Sequence, residues 1–368
     1  MIRHRAGWWL IALGVACVGV GVLLIVPSVE GEGAAERTTS TSSAKKEGPE
    51  ESSGLSGAAK AVTFADPGLE EVIRKAIGRF GGQIYKTDLV GLTSLLANGR
   101  EIKSLSGIEW CVDLTSLELV FNQITDIAPL SALTGLRVLD LYHNQIIDIS
   151  PLEGFPNLTR IGLTGNQISD IGALSGFPNL TGLSVSHNPI SDISALSGLT
   201  QLTYLHLESN QIRNISALAG LTALERLQLS DNEVQNINPL SGLSSIRFLD
   251  LDGNQISDIA PLAGLTALES ANLDDNLIAD FRPLVDNRGL AEGDRVTVKG
   301  NPLSFEAYHF QIPALQAQGV KVSYDRRYGR DPLGASESRQ TVSKPHGPDS
   351  DAGGLNDGEE HNETWRTR

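Results

Sequence analysis

The 368-residue chain carries 44 acidic against 29 basic residues, a formal net charge of −15. Between residues 62 and 325 the imbalance is 30 to 16 with no basic stripe, which argues against nucleic acid and anionic lipid surfaces as partners. Only two cysteines occur, Cys17 and Cys111, so no disulfide can form within that stretch and packing alone must hold it.

In chain order, Arg3, His4 and Arg5 precede an uncharged run from Ala6 to Val26. Its length matches the ~20 residues of a bilayer span. The basic flank would stay cytoplasmic, placing the rest on the far side. Residues 1–28 are therefore expected to be a signal-anchor or a signal peptide. The run exceeds the ~7–15 residues of a signal core, which favours the retained anchor, with secretion as the alternative if it is cleaved. Residues 29–61 are Ser, Thr, Gly, Glu and Lys with almost no large apolar side chain, the composition of a disordered stalk.

From there a period takes over. Asn122, Asn144, Asn166, Asn188, Asn210, Asn232, Asn254 and Asn276 recur every 22 residues in the frame L-x-x-L-x-L-x-x-N-x-I, with another apolar residue at one framework position in several copies. Within the frame, Leu202, Leu205 and Leu207 alternate with Tyr204 and His206, the period of two that marks a strand. One such unit cannot bury its own apolar face, so units must stack into a solenoid. The asparagine ends the strand, and its amide carries an acceptor and two donors for backbone groups that the bend removes from the sheet. The eight asparagines thus read as a structural ladder rather than ligands. After the turn comes I-x-D-I-x-P/A-L, with Asp or Asn where a turn is capped and Pro at 129, 151, 239 and 261. So short a return limb leaves room only for a 3₁₀-like turn or an extended stretch. Cys111 occupies a core position filled elsewhere by Leu133 or Phe155 and should be buried.

These units resemble the leucine-rich repeat domain of bacterial internalins, whose repeats carry the same N-x-I-x-D-I-x-P-L stretch. The resemblance extends to FADPGLEEVIRKAIG (Phe64 to Gly78), similar to the helix that opens such domains. It also covers the segment from Gly293 to Asp325, similar to the closing cap, with Asn301 as the last ladder asparagine. It implies an α/β, right-handed leucine-rich repeat solenoid. A parallel β-sheet would line the concave face of a horseshoe-like arc, with short 3₁₀ or extended limbs on the convex side. The expected organisation is an N-terminal helical cap with a degenerate first repeat at 62–113, eight repeats at 114–289 and a C-terminal cap at 290–325. In the degenerate repeat Arg100 stands where the asparagine would be. Residues 326–368 read as a disordered polar tail without the LPxTG-like signal of wall-linked internalins.

Outward strand positions are where the repeats stop agreeing, because folding does not fix them. Tyr142, Arg160, Tyr204, His206, Arg226 and Phe248 fall there, residue types that dominate interfaces. Phe121, His143 and His187 lie one position further on, at the rim. The small residues Gly162, Gly182, Ser184 and Ser186 are expected to leave a shallow depression beside Tyr204. No metal is expected: the histidines come from unlike positions, and Asp250, Asp252, Asp274 and Asp275 read more simply as a solvated acidic patch than as a Ca²⁺ site. There is no G-x-S-x-G, P-loop or H-E-x-x-H signature, so neither catalysis nor a cofactor is expected. The function read from the sequence is an extracytoplasmic, cell-surface or periplasmic module that binds a protein or peptide, a basic one favoured by the acidic arc, and meets the membrane only through its N-terminal segment. An envelope scaffold that self-associates by its edges is the alternative. A regulatory subunit of an enzyme is the third reading.

Overall fold

The computed structural model describes residues 60–325. The expected membrane segment, the tail and all but the last two residues of the expected stalk lie outside the described residues; Ala61, placed in the stalk by composition, instead pairs with Tyr85 in a strand. Among the described residues no helix is long and apolar enough to cross a membrane.

Eleven three-residue strands form one parallel sheet in strict sequence order, from Ser94–Leu96 at one edge to Lys321–Ser323 at the other. Neighbouring strands pair with residues 22 apart, as in Gly182↔Tyr204 and Ser184↔His206. The last two steps stretch, pairing Ser270 with Arg295 and Arg295 with Lys321. The middle residue of each strand points inward. Leu117, Leu139, Leu183, Leu205 and Leu227 are all buried, and one continuous core runs the length of the sheet.

The return limbs are short because the repeat leaves little chain for them. Seven successive repeats use 3₁₀ turns such as Ala128–Ala132, Ser150–Leu152 and Ser194–Gly198. The eighth instead closes in a single α-helical turn, Arg282–Val285, where the period lengthens. Each turn is fixed by the Asp or Asn before it. Asp126 Oδ1 accepts the Ala128 N–H at 2.8 Å and Asn214 Oδ1 accepts the Ser216 N–H at 3.0 Å. This side-chain bond to the second following amide is why short acceptors recur there.

The asparagines work backward along the chain. Asn188 Oδ1 accepts the Ile168 N–H at 2.9 Å, while its Nδ2 donates to the Leu163 and Val185 carbonyls, both at 3.1 Å. Each therefore ties its own strand to the turn of the preceding repeat. Asn122 does the same for the first repeat, reaching the N–H groups of Arg100 and Ile102. Arg100 has no earlier repeat to serve, which explains how the amide could be lost there. At the far end Asn301 accepts from Ile278 and donates to Leu273 and Val298.

Upstream, a helix at Pro67–Ala76 buries Leu69, Val72 and Ile73. Asp66 caps it by accepting the Gly68 N–H through Oδ1 at 2.9 Å, and its Oδ2 takes the Lys103 N–H at 2.8 Å. One carboxylate thus caps the helix and joins it to the first repeat. A two-stranded antiparallel hairpin, Ala61–Val62 with Ile84–Tyr85, brackets this helix. Downstream, the buried Gln311 accepts the Phe281 N–H and donates to Asp280, fastening the helical segment Ala307–Ala317 to the last turn.

Candidate functional site

The outward side chains of eleven strands form one broad face, and the register sets which of them meet. Arg160, Gly182, Tyr204, Arg226 and Phe248 share one row, and Asp140, Gly162, Ser184, His206, Gln228 and Asp250 share the next. Strand spacing of about 4.8 Å brings long side chains across one or two repeats.

The expected depression beside Tyr204 is filled. Gly182 is buried beneath the Tyr204 ring, so close that a Cβ there would stand 1.8 Å from Cζ. Gly162 is likewise covered by Tyr142, whose Cε1 would be 2.3 Å from a Cβ. The tyrosines lean over the glycines from opposite sides. Arg160 Nε donates to the Tyr204 hydroxyl at 2.7 Å, and Tyr142 hydrogen-bonds to Ser184. The outward pattern leaves these aromatics unfixed by folding, whereas they pack against bare backbone on the face itself. Burial pushes the Tyr142 phenol above its ordinary pKa despite the Ser184 bond.

His206 is half-buried beside Tyr204, ring centroids 5.8 Å apart, and its Nε2 has no hydrogen-bond partner among the described residues. Burial lowers its pKa; Glu208 opposes that and Arg226 adds to it, so the neutral imidazole is favoured. Glu208 is bound by the Ser186 hydroxyl. Tyr142, Arg160, Tyr204 and His206 thus form a connected plateau rather than a set of free side chains.

An open hollow on the face lies one step further along. A shallow cleft of about 150 Å³ is lined by Arg226, Gln228, Phe248, Asp250, Ser270 and Asn272. The Arg226 guanidinium stands 4.3 Å from the Phe248 ring centroid, a cation–π contact between two residues of the cleft lining. Arg247, which the outward pattern did not single out, approaches the same ring at 5.8 Å and pairs with Glu269. Asp250 and Asp252 flank this end. Burial raises both carboxyls, and for Asp252 the neighbouring Asp250, Asp274, Asp275 and Asp231 raise it further. No group of three or more His, Cys, Asp or Glu among the described residues is placed to hold a metal ion.

The rim residues belong to a separate column. The residue before every ladder asparagine has a left-handed backbone, including Phe121 (φ 56°), His143 (52°), Gly165 (70°), His187 (54°) and Gly253 (64°). Phe121 and His143 stack face to face at 4.5 Å and 5°. His187 is exposed in the same column and takes no part in that stack. The 22-residue period contained this column, but the frame letters L, N and I draw attention elsewhere.

A leucine-rich repeat family model, two copies at a time, matches residues 112–154, 134–176, 178–220 and 222–264. No curated protein sequence matches the chain. Among solved structures, internalin F of Listeria monocytogenes is 28% identical, with 74% of this chain and 95% of that one covered at a TM-score of 0.53. Internalin C2 of the same organism is 33% identical, covering 64% of this chain and 94% of that one at a TM-score of 0.50. A leucine-rich repeat protein of Leptospira interrogans, 22% identical with 64% and 62% covered, shares the fold at a TM-score of 0.60. Sheet, turns and asparagine ladder define a leucine-rich repeat solenoid. With one-third identity across nearly all of internalin C2, the chain belongs to the internalin-type leucine-rich repeat proteins.

Proposed function

We propose that this chain is a non-catalytic protein-binding module that works outside the cytoplasm and holds its partner on the exposed face of the sheet. One observation carries the reading: inward positions repeat as apolar residues, mostly Leu or Ile, while outward ones vary between repeats and present the plateau from Tyr142 to His206 and the cleft at Arg226 and Phe248. Folding would tolerate a uniform polar surface there, so the variation records a surface shaped by something else. Packing the aromatics on glycine fixes them in advance, which lowers the entropy cost of docking. The acidic balance of the described residues favours a basic partner. In this reading residues 1–28 tether or export the chain, 29–61 and 326–368 flank the solenoid, and the segments 62–113 and 290–325 cap its ends.

The test is affinity capture from envelope extracts with the full chain beside a Tyr204→Ala/His206→Ala variant, both checked by circular dichroism. A partner lost only by the variant supports the sheet face. A partner held equally by both moves the interface elsewhere. A second reading, a scaffold joined through its ends, is favoured by the strands Ser94–Leu96 and Lys321–Ser323, each of which pairs on one side only within the sheet. Concentration-dependent chain growth in sedimentation, abolished by Leu96→Pro, would support it.

A further inference from the structure

The left-handed column holds one residue that folding would not choose. Glycine fills it at 99, 165, 253 and 300, and short polar or imidazole side chains fill it at 143, 187, 209, 231 and 275. Left-handed backbone is free for glycine and tolerable for Asp or His. Phe121 alone puts a large apolar side chain there, and it is 63% exposed. Neither backbone conformation nor core packing accounts for it.

The ring is nevertheless held in place. One face stacks on His143. His143 in turn lies over Gly165, where a Cβ would come within 2.5 Å of its Nδ1. The neighbour on the other side of the column is Gly99, where a Cβ would meet nothing within 4 Å. A stack of Phe121, His143 and Gly165 therefore stops one repeat short and leaves an open place above Gly99.

The surroundings define what fits. Leu96 is 61% exposed and Val120 is half-buried, giving an apolar approach. Glu118 pairs with Leu96 in the sheet register, and among the described residues its carboxylate accepts only the Asn98 Nδ2 on one oxygen. Arg100 lines a cleft with Leu96 and with Glu71 and Lys75 of the first helix, so Glu71 stands among the cations on that side of Leu96. An aromatic face beside an underused carboxylate on an acidic chain is complementary to a flat cation.

We propose that the open face of Phe121 above Gly99 binds the guanidinium of an arginine side chain presented by the protein partner. The inference rests on the reading of the sheet face as the interface. The guanidinium stacks on the ring as Arg226 does on Phe248 within this molecule. Its methylene stem covers Leu96 and Val120, and Glu118 accepts its N–H groups. Arginine fits better than lysine because it is planar and less strongly hydrated.

The test uses the full chain with labelled Phe and His rings, titrated by nuclear magnetic resonance with acetyl-Gly-Arg-Gly-amide and its Lys and Trp counterparts. The arginine peptide is expected to move the Phe121 and His143 resonances and to bind several-fold more tightly than either counterpart. Glu118→Gln should weaken it several-fold. Phe121→Gly and Phe121→Asn should each abolish the His143 shift while raising the unfolding midpoint, a combination that a purely structural phenylalanine would not give. The proposal is overturned if no peptide moves either ring, if the His143 shift survives in both variants, or if the tryptophan peptide binds best. Those failures leave the interface reading standing wherever partner capture still depends on Tyr204 and His206. Capture that ignores those residues sinks the interface reading, whatever the peptides do.

Discussion

Asn188 serves three backbone groups contributed by two repeats: the Ile168 N–H, the Leu163 carbonyl and the Val185 carbonyl. All are inside the solenoid, where an unsatisfied group costs ~1–3 kcal/mol. Asn188→Ala is therefore expected to lower stability by about 3–5 kcal/mol in urea unfolding. Asn301 makes the same kind of bonds but is half-buried at the open end, where water can replace them. Asn301→Ala should cost about 1–2 kcal/mol. Equal losses at the two sites would contradict the ladder as the cause. Cys111 gives a second residue-scale check. Burial first and Glu109 second push its thiol up to about 12, so thiolate is scarce at neutral pH. Iodoacetamide should leave Cys111 unmodified in the folded chain and label it fully in denaturant, read by peptide mass. Labelling under native conditions would mean the core opens at the first repeats.

Within single strands and turns, the same substitution should have opposite weight depending on what it meets. At Gly182 a new Cβ collides with the end of the Tyr204 ring, which can swing into solvent at the loss of the Arg160 bond. At Gly289 it would stand 1.9 Å from the Thr266 carbonyl oxygen, which is backbone and cannot rotate away. Gly182→Ala is thus expected to cost ~1 kcal/mol or less, and Gly289→Ala ~3 kcal/mol, in paired thermal melts. Comparable losses would show that Tyr204 is held by more than Arg160. The glycines also mark where sequence legibility ends. Strands, turns, core leucines and the bonding role of asparagine follow from a 22-residue period, because periodic positions see the same environment in every repeat. The face does not repeat, so each side chain's resting place depends on neighbours one or two repeats away. Gly182 and Gly162 read as an empty hollow in one dimension and proved to be the beds of two tyrosine rings. The end segments were legible only by resemblance. Asp66 joining helix to repeat, and Gln311 joining helix to last turn, are single contacts with no period to announce them.

Across the whole solenoid, stacking repeats in register also stacks their charges, and this sets how stability follows pH. Asp140 lies among partly buried neighbours. Burial first, with Glu118 adding, lifts its carboxyl from the ordinary 3.8 to about 6, although the Tyr142 N–H bond and Arg160 pull the other way. Asp250 and Asp252 are raised for the same leading reason. A carboxyl raised on folding binds its proton more tightly in the folded than in the unfolded chain. The folded state therefore gains proton affinity between the two pKa values, and stability falls as pH rises through that window. Asp148 and Asp192 act in the opposite sense. The Ser150 and Ser194 amides hold them low, so their contribution is lost only as pH drops below the ordinary carboxylate range. His206, lowered by burial, adds stability as pH rises toward its ordinary 6.5, so the fall driven by the raised carboxyls belongs to the window between the ordinary 3.8 and about 6. The melting temperature should fall between about pH 4 and 6, and Asp140→Asn, which keeps the acceptor for the Tyr142 N–H, should narrow that fall. Salt at pH 7.5 should recover part of the loss by screening Asp250, Asp252, Asp274 and Asp275 from one another. A melting temperature that does not fall across the Asp140 window, or a fall untouched by Asp140→Asn, would mean that the acidic face relaxes its charges into water.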